Sequence, residues 1–201
     1  MADGYIEDKM NAHGRGAFRA FKPPKWWVDK QPKSTGVLFR KAGIRDLTPV
    51  MAILDAARQR MFAEGKCQWT ESYPREVHVV ADIAAGHGYV LVEDGRVVAY
   101  GAVIVNGEPA YEDLEGEWLT DGDYVVVHRL AVAADAQGRG VGRRFMAAVE
   151  EMAAAEGVGS FRVDTNFDNE RMLALLDRCG FTFTGLIQYP QGERRAFEKL
   201  I

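Results

Sequence analysis

The 201 residues, 47% of them hydrophobic, are enough for one domain with its own core. The formal charge of −4 is modest, but residues 42–201 carry −9 (sixteen bases against twenty-five acids), which argues against a broad phosphate-binding face for nucleic acid. No apolar run is long enough to span a bilayer and no charged-then-apolar leader is visible, so a cytoplasmic protein with no membrane partner is expected. The charge is uneven: residues 1–41 hold nine Lys or Arg against four acids, and residues 42–201 hold sixteen against twenty-five.

Residues 1–36 mix Gly, Pro and Lys with Phe18, Phe21, Trp26 and Trp27, and read as a basic, aromatic-containing extension ahead of a domain over 37–201. A short strand, Val37 to Gly43, comes first. A helix then starts at Thr48-Pro49, with Thr48 as its cap and Val50, Ile53, Leu54, Ala57 and Met61 inward, and stops at Gly65. A second helix begins near Pro74, with Val77, Val80, Ala81 and Ala84 as its inward face. The runs on either side of Asp94-Gly95 predict a hairpin. The connection over 106–123 carries seven acids and no base. A strand at Tyr124 to Val132, a helix packing Val141, Phe145, Val149 and Met152, a strand at "SFRVDT", a helix from Asn169 to Cys179 and two last strands complete a mixed α/β order. Cys67 and Cys179 lack metal-ligand spacing and read as reduced thiols; no metal is expected.

The chemistry concentrates at Gln137-Gly138-Arg139-Gly140-Val141-Gly142, between strand and helix. Glycines let the chain turn tightly, and a helix N-terminus presents unpaired N–H groups and a positive dipole end, which suits phosphate or pyrophosphate. Arg139, Arg143 and Arg144 would add charge at the rim. The Lys-Ser/Thr pair of a nucleoside triphosphate loop is missing, and so is the rest of a dinucleotide fingerprint. A phosphorylated cofactor without a metal remains, and the alternative is a tight structural turn.

"HRLAVAADAQGRGVGRRFM" resembles the signature segment of the GCN5-related N-acetyltransferases (GNAT), with Gln137, Gly140 and Gly142 at its defining positions and a downstream pattern at Asp168, Asn169, Gly180 and Phe181. The resemblance runs from about Val37 to Leu200. It implies a mixed, mostly antiparallel sheet flanked by helices, with a V-shaped opening between the strands ending at Val132 and Asp164. It also implies acetyl-CoA (coenzyme A) as the acyl donor. The turn, Gly138 through Arg143, would hold its pyrophosphate; the backbone at Leu130, Ala131 and Val132 would hold its pantetheine arm; Asn169 would lie along it. The acceptor would be the amine of a small molecule or peptide, and a homodimer would fit the family, with the aromatic extension contributing.

Many members carry a Tyr, the expected proton donor to the thiolate, where this chain has Leu176; Tyr189 is the candidate replacement. His128, two residues before Leu130 and so on its strand face, is the candidate base, whereas Arg129 should face away as a structural residue. Trp69, Tyr73 and Trp118 are expected at the acceptor cleft, and Asp164, Thr165 and Asn166 close enough to orient an amine. The acids of 106–123 could attract a cationic amine or simply solvate a loop. Two rivals stay open: a non-catalytic acyl-CoA-binding module, favoured by Leu176, and a nucleic-acid-associated protein using the basic arm.

Overall fold

The computed structural model describes residues 36–201, so the expected extension over 1–36 lies outside the described residues except for Gly36. Eight strands form one sheet: β1 (Val37–Lys41), β2 (Gly88–Glu93), β3 (Arg96–Val105), β4 (Glu115–Gly116), β5 (Tyr124–Val132), β6 (Ser160–Thr165), β7 (Thr182–Tyr189) and β8 (Gly192–Leu200). Their order is β1-β2-β3-β5-β6-β8-β7-β4. Every pairing is antiparallel except β5 with β6. The helices are α1 (Leu47–Ala63), α2 (Glu76–Ala84), α3 (Val141–Ala155) and α4 (Glu170–Cys179). No described helix is long and apolar enough to cross a membrane.

The β2–β3 hairpin turns on Asp94 and Gly95 with positive φ at both, the geometry a two-residue hairpin loop needs. The first helix starts one residue before Thr48, and Thr48 does not cap it. Asp46 precedes it; its carboxylate takes two hydrogen bonds from Arg40 (2.6 and 2.8 Å) and one from the Gly43 N–H (2.8 Å). Val50, Ile53, Leu54 and Ala57 are buried, as their spacing predicts.

The second helix corrects the sequence reading. Val77 and Val80 face solvent at 69% and 38% exposure, and the buried residues of α2 are Val79 and Asp82. Hydrophobic spacing chose the wrong stripe because a paired carboxylate, Asp82, shares the inward face with Val79. Asp82 accepts from the Tyr100 hydroxyl at 2.6 Å and from Arg129 Nε at 3.0 Å.

The acidic connection is also more than a solvated loop. It contains a 3-10 turn at Pro109–Asp113 and strand β4, which pairs with β7. Tyr111 is buried with Val126, Ile187 and Ala196 in a second small core. Trp118 closes that core: its indole N–H donates to the Tyr111 carbonyl at 3.0 Å, and its ring lies 4.3 Å from the Arg162 guanidinium. Arg162 in turn donates to the fully buried Glu198 at 3.1 Å.

Two irregularities position the site. Strands β5 and β6 pair only over Tyr124–Val126 and Ser160–Arg162; beyond that β5 stays with β3 while β6 stays with β8, which opens the expected V. On the other edge of β5 the register slips. Ala102 opposes His128 and Tyr100 opposes Ala131, so Gly101 faces Arg129 and Leu130 together in a β-bulge. Arg129 takes φ +58, a conformation that costs a non-glycine residue about 1–2 kcal/mol. Gly101 is required here, because a Cβ on it would lie 2.9 Å from the Phe145 ring.

Candidate active site

The Gln137–Gly142 turn leads into α3 as its residue types predict. Gly138 and Gly140 adopt φ +74 and +75, no side chain caps α3, and its first turn holds no acid. The leading N–H groups of the helix therefore have no intrahelical acceptor. Gln137 ties the turn back to β5 by donating from Nε2 to the Val132 carbonyl at 3.3 Å.

In front of the turn lies a cleft of about 740 Å³, bordered by Leu130, Ala131, Val132, Gln137, Gly138, Gly140, Val141, Gly142, Arg143 and Asn169, all of them expected cofactor contacts. The Arg139 side chain, with that of Arg144, pairs with Glu93 on β2 and does not line the cleft. Other cations replace them. Arg60 and Lys66 from α1 and its following loop, and Arg171 and Arg178 from α4, line the cleft with Arg143, against two acids, Glu64 and Glu170. Spacing on α1 gave no sign of Arg60, because its role depends on packing distant in sequence. Its Nε is buried with no hydrogen-bond partner among the described residues, and burial followed by the charge of Arg171 holds its pKa below the usual range. A half-buried cation with one unpartnered N–H, lining the same cleft as unpaired backbone donors, fits a polyanion. The residues present thus fit a coenzyme A.

The cleft narrows into an inner pocket of about 60 Å³. The two share Met61, Trp69, Leu130, Asn169 and Met172 as walls, so the pocket adjoins the cleft. Trp69 is nearly buried, and Asn169 caps α4, accepting from the Met172 N–H at 3.3 Å while donating to Gln68 Oε1 at 2.9 Å. Gln68 is a pocket residue that the sequence reading missed.

Further in, His128, Arg129, Tyr73, Asp164 and Arg194 converge. Arg129 faces the pocket, contrary to expectation, because the bulge breaks the two-residue alternation on which that expectation rested. The same break separates His128 from the strand phase of Leu130, although both line the pocket. Arg129 is held by Asp82 and by the Tyr73 hydroxyl, which accepts from Nη1 at 2.8 Å. Asp164 accepts from Tyr111 at 3.0 Å and from Arg194 at 2.8 Å. His128 Nε2 lies 3.5 Å from Glu108 Oε2. Burial lowers the His128 pKa and raises that of Glu108, so both are biased toward their neutral forms.

Three expected residues are elsewhere. Trp118 sits in the second core and Asn166 in the turn before α4, where its carbonyl accepts from the Asn169 N–H; neither lines the cleft or the pocket. Tyr189 lies one layer behind, its ring 4.2 Å from the Arg194 guanidinium and its hydroxyl buried without a partner among the described residues. Of the seven acids in the connection, only Glu108 approaches the pocket, through His128; the other six line neither cavity. Leu176 is fully buried core, so its position presents nothing to the cleft.

The splayed parallel pair, the bulged strand and the uncapped turn define the class of an N-acetyltransferase. The sequence model of the "Acetyltransferase (GNAT) family" matches residues 52–181, and the chain belongs to that family. A GNAT-family acetyltransferase from Streptococcus agalactiae is similar at 30% identity, covering 83% of this chain and 96% of its own, with a TM-score of 0.75. Another from Listeria monocytogenes shares the fold at 20% identity, 82% and 95% coverage and a TM-score of 0.65. No curated protein sequence gives a significant match.

Proposed function

We propose that the protein transfers an acetyl group from acetyl-CoA to a primary amine of a small molecule or peptide. The observation that carries this reading is a cation-lined cleft beside the glycine turn that shares its walls with a pocket holding a neutral-biased histidine.

The backbone of 138–143, with Arg143 and Arg60, would hold the cofactor's phosphates, and the edge of β5 at Leu130–Val132 its arm. Acetyl-CoA, when bound, supplies an activated thioester. Transfer forms the amine's N–C bond and breaks the C–S bond, with the sulfur keeping the electron pair. The chain's own task is to strip the amine of its proton. His128 is placed for that, since its depressed pKa keeps it unprotonated near neutrality, and Glu108 beside it can share the charge it gains. The backbone N–H groups at the bulge end of β5 are the candidate donors to the developing oxyanion. A thiolate is a weak enough base to leave without a dedicated acid, which reconciles the chemistry with Leu176 and with Tyr189 lying outside the pocket. Tyr189 instead supports Arg194.

The test is turnover of acetyl-CoA with a panel of amines and peptides, following free CoA and product mass. A product 42 Da heavier than its acceptor, about one acetyl group, supports the reading. CoA binding without transfer to any acceptor would leave a non-catalytic acyl-CoA-binding module.

A further inference from the structure

We propose that the inner pocket takes an acceptor carrying a carboxylate next to its amine, an α-amino acid or close analogue, and that Arg129 and Arg194 hold the carboxylate. This rests on reading the site as an amine acetyltransferase, and it narrows the acceptor class.

The charged side chains lining the pocket are two guanidiniums and one carboxylate. That carboxylate, Asp164, has both oxygens engaged, one by Tyr111 and one by Arg194. Arg129 commits three of its five N–H groups, two to Asp82 and one to Tyr73. Arg194 commits one among the described residues, and the ring of Tyr189 fixes the plane of its guanidinium. Gln68 has its oxygen taken by Thr165 (3.3 Å) and Asn169 (2.9 Å), which leaves its NH2 as the free end.

The pocket is therefore rich in unspent donors and poor in unspent acceptors. A second ammonium or guanidinium would meet two fixed arginines at close range and find no free carboxylate. A carboxylate has the planar, two-oxygen shape that a guanidinium fork matches. Charge thus points opposite to the acidic composition of the 106–123 connection, whose carboxylates other than Glu108 lie away from the pocket.

Size adds the spacing. About 60 Å³ holds a carboxylate and the carbon beside it, not a long chain. The amine must sit where the pocket joins the cleft, near Leu130 and Asn169, within reach of the thioester. One carbon between carboxylate and amine keeps both groups within so small a volume, and the acceptor's side chain then extends toward the cleft mouth.

The experiment uses the full chain and matched acceptors: each of the twenty L-amino acids, its amide and, where it exists, its decarboxylated amine. Acetyl transfer is followed by CoA release and mass, and binding to the CoA-loaded protein by calorimetry. At least one free acid should exceed its own amide by tenfold or more in kcat/KM and in affinity. In Arg194→Gln that ratio should fall toward one through a rise in KM, with Arg194→Lys in between; the unfolding midpoint of each variant shows that it is folded. If amides or decarboxylated amines are used as well as the acids, the carboxylate site is overturned while the transferase reading stands. If no acceptor of this set is bound or acetylated, the carboxylate site is overturned, and the transferase reading is overturned with it only if the panel of amines and peptides also gives no product.

Discussion

The cofactor cleft and the acceptor pocket are built in opposite ways. One wall of the cleft comes from a single stretch, Leu130 to Arg143, while α1 and α4 supply the facing walls. The backbone N–H groups of that stretch are free because a strand ends, glycines turn and a helix begins uncapped. The pocket takes its charged and polar groups singly from elements far apart in the chain: Gln68 and Tyr73 between α1 and α2, His128 and Arg129 from β5, Asp164 from β6 and Arg194 from β8. A site made of backbone can be specified by a short motif. A site made of side chains from many elements requires the whole fold, so its specificity can change while the cofactor end stays constant.

The sharpest division between the two regions should come from His128→Ala. Loss of a general base predicts a fall in kcat of about 10²–10⁴-fold, with CoA affinity by calorimetry unchanged. An equal loss of CoA binding would break the comparison.

Asp82→Ala attacks the pocket's support. It strands a buried guanidinium already held in a strained conformation, and a loss of about 3–5 kcal/mol in denaturant unfolding is expected. CoA affinity of the folded fraction should persist.

Arg60→Met tests the other side. Losing a charge-assisted contact should weaken CoA binding about tenfold or more, while the ligand-free protein holds its unfolding midpoint or gains slightly, since an unpaired buried Nε is removed. A large loss of ligand-free stability would make Arg60 structural.

The smallest effect is in pH. The His128 pKa is lowered from 6.5 by burial, so below that value the unfolded chain takes a proton before the folded one does. Stability contributed by the neutral imidazole is present above 6.5 and is lost as pH falls through that value toward the folded pKa. Denaturation midpoints between pH 7.5 and 5 should decline, and less so in His128→Gln. The acid limb of kcat/KM should likewise lie below 6.5.

What the sequence made legible follows the same division. The main element order, the hairpin at Asp94-Gly95 and the glycine turn at Gln137–Gly142 could be read because local chemistry decides them, whereas Leu130–Val132 and Asn169 entered through the family resemblance. The α2 face could not, since Val77 and Val80 have the spacing of a buried stripe and only the pairing of Asp82 with Arg129 and Tyr100 turns the helix the other way. Arg129 itself was unreadable for a related reason. A bulge leaves no mark in strand periodicity, and the one available sign was a glycine, Gly101, in the middle of β3. Trp118 illustrates the reverse error: an aromatic beside acids suggests a binding wall, yet its ring is used to stack on Arg162.

The bulge on β5 also limits how this enzyme can be altered. Four positions depend on it together: Gly101 leaves room, Arg129 occupies the left-handed turn, Asp82 neutralises it and Tyr73 accepts its remaining contact. They are spread over nearly sixty residues, so a graft that carries only the β5 segment into a relative would deliver a bare cation without the carboxylate and hydroxyl that hold it. Recombination between homologues should therefore tolerate crossovers outside 73–129 and penalise those within it, so these four residues behave as a single inherited character.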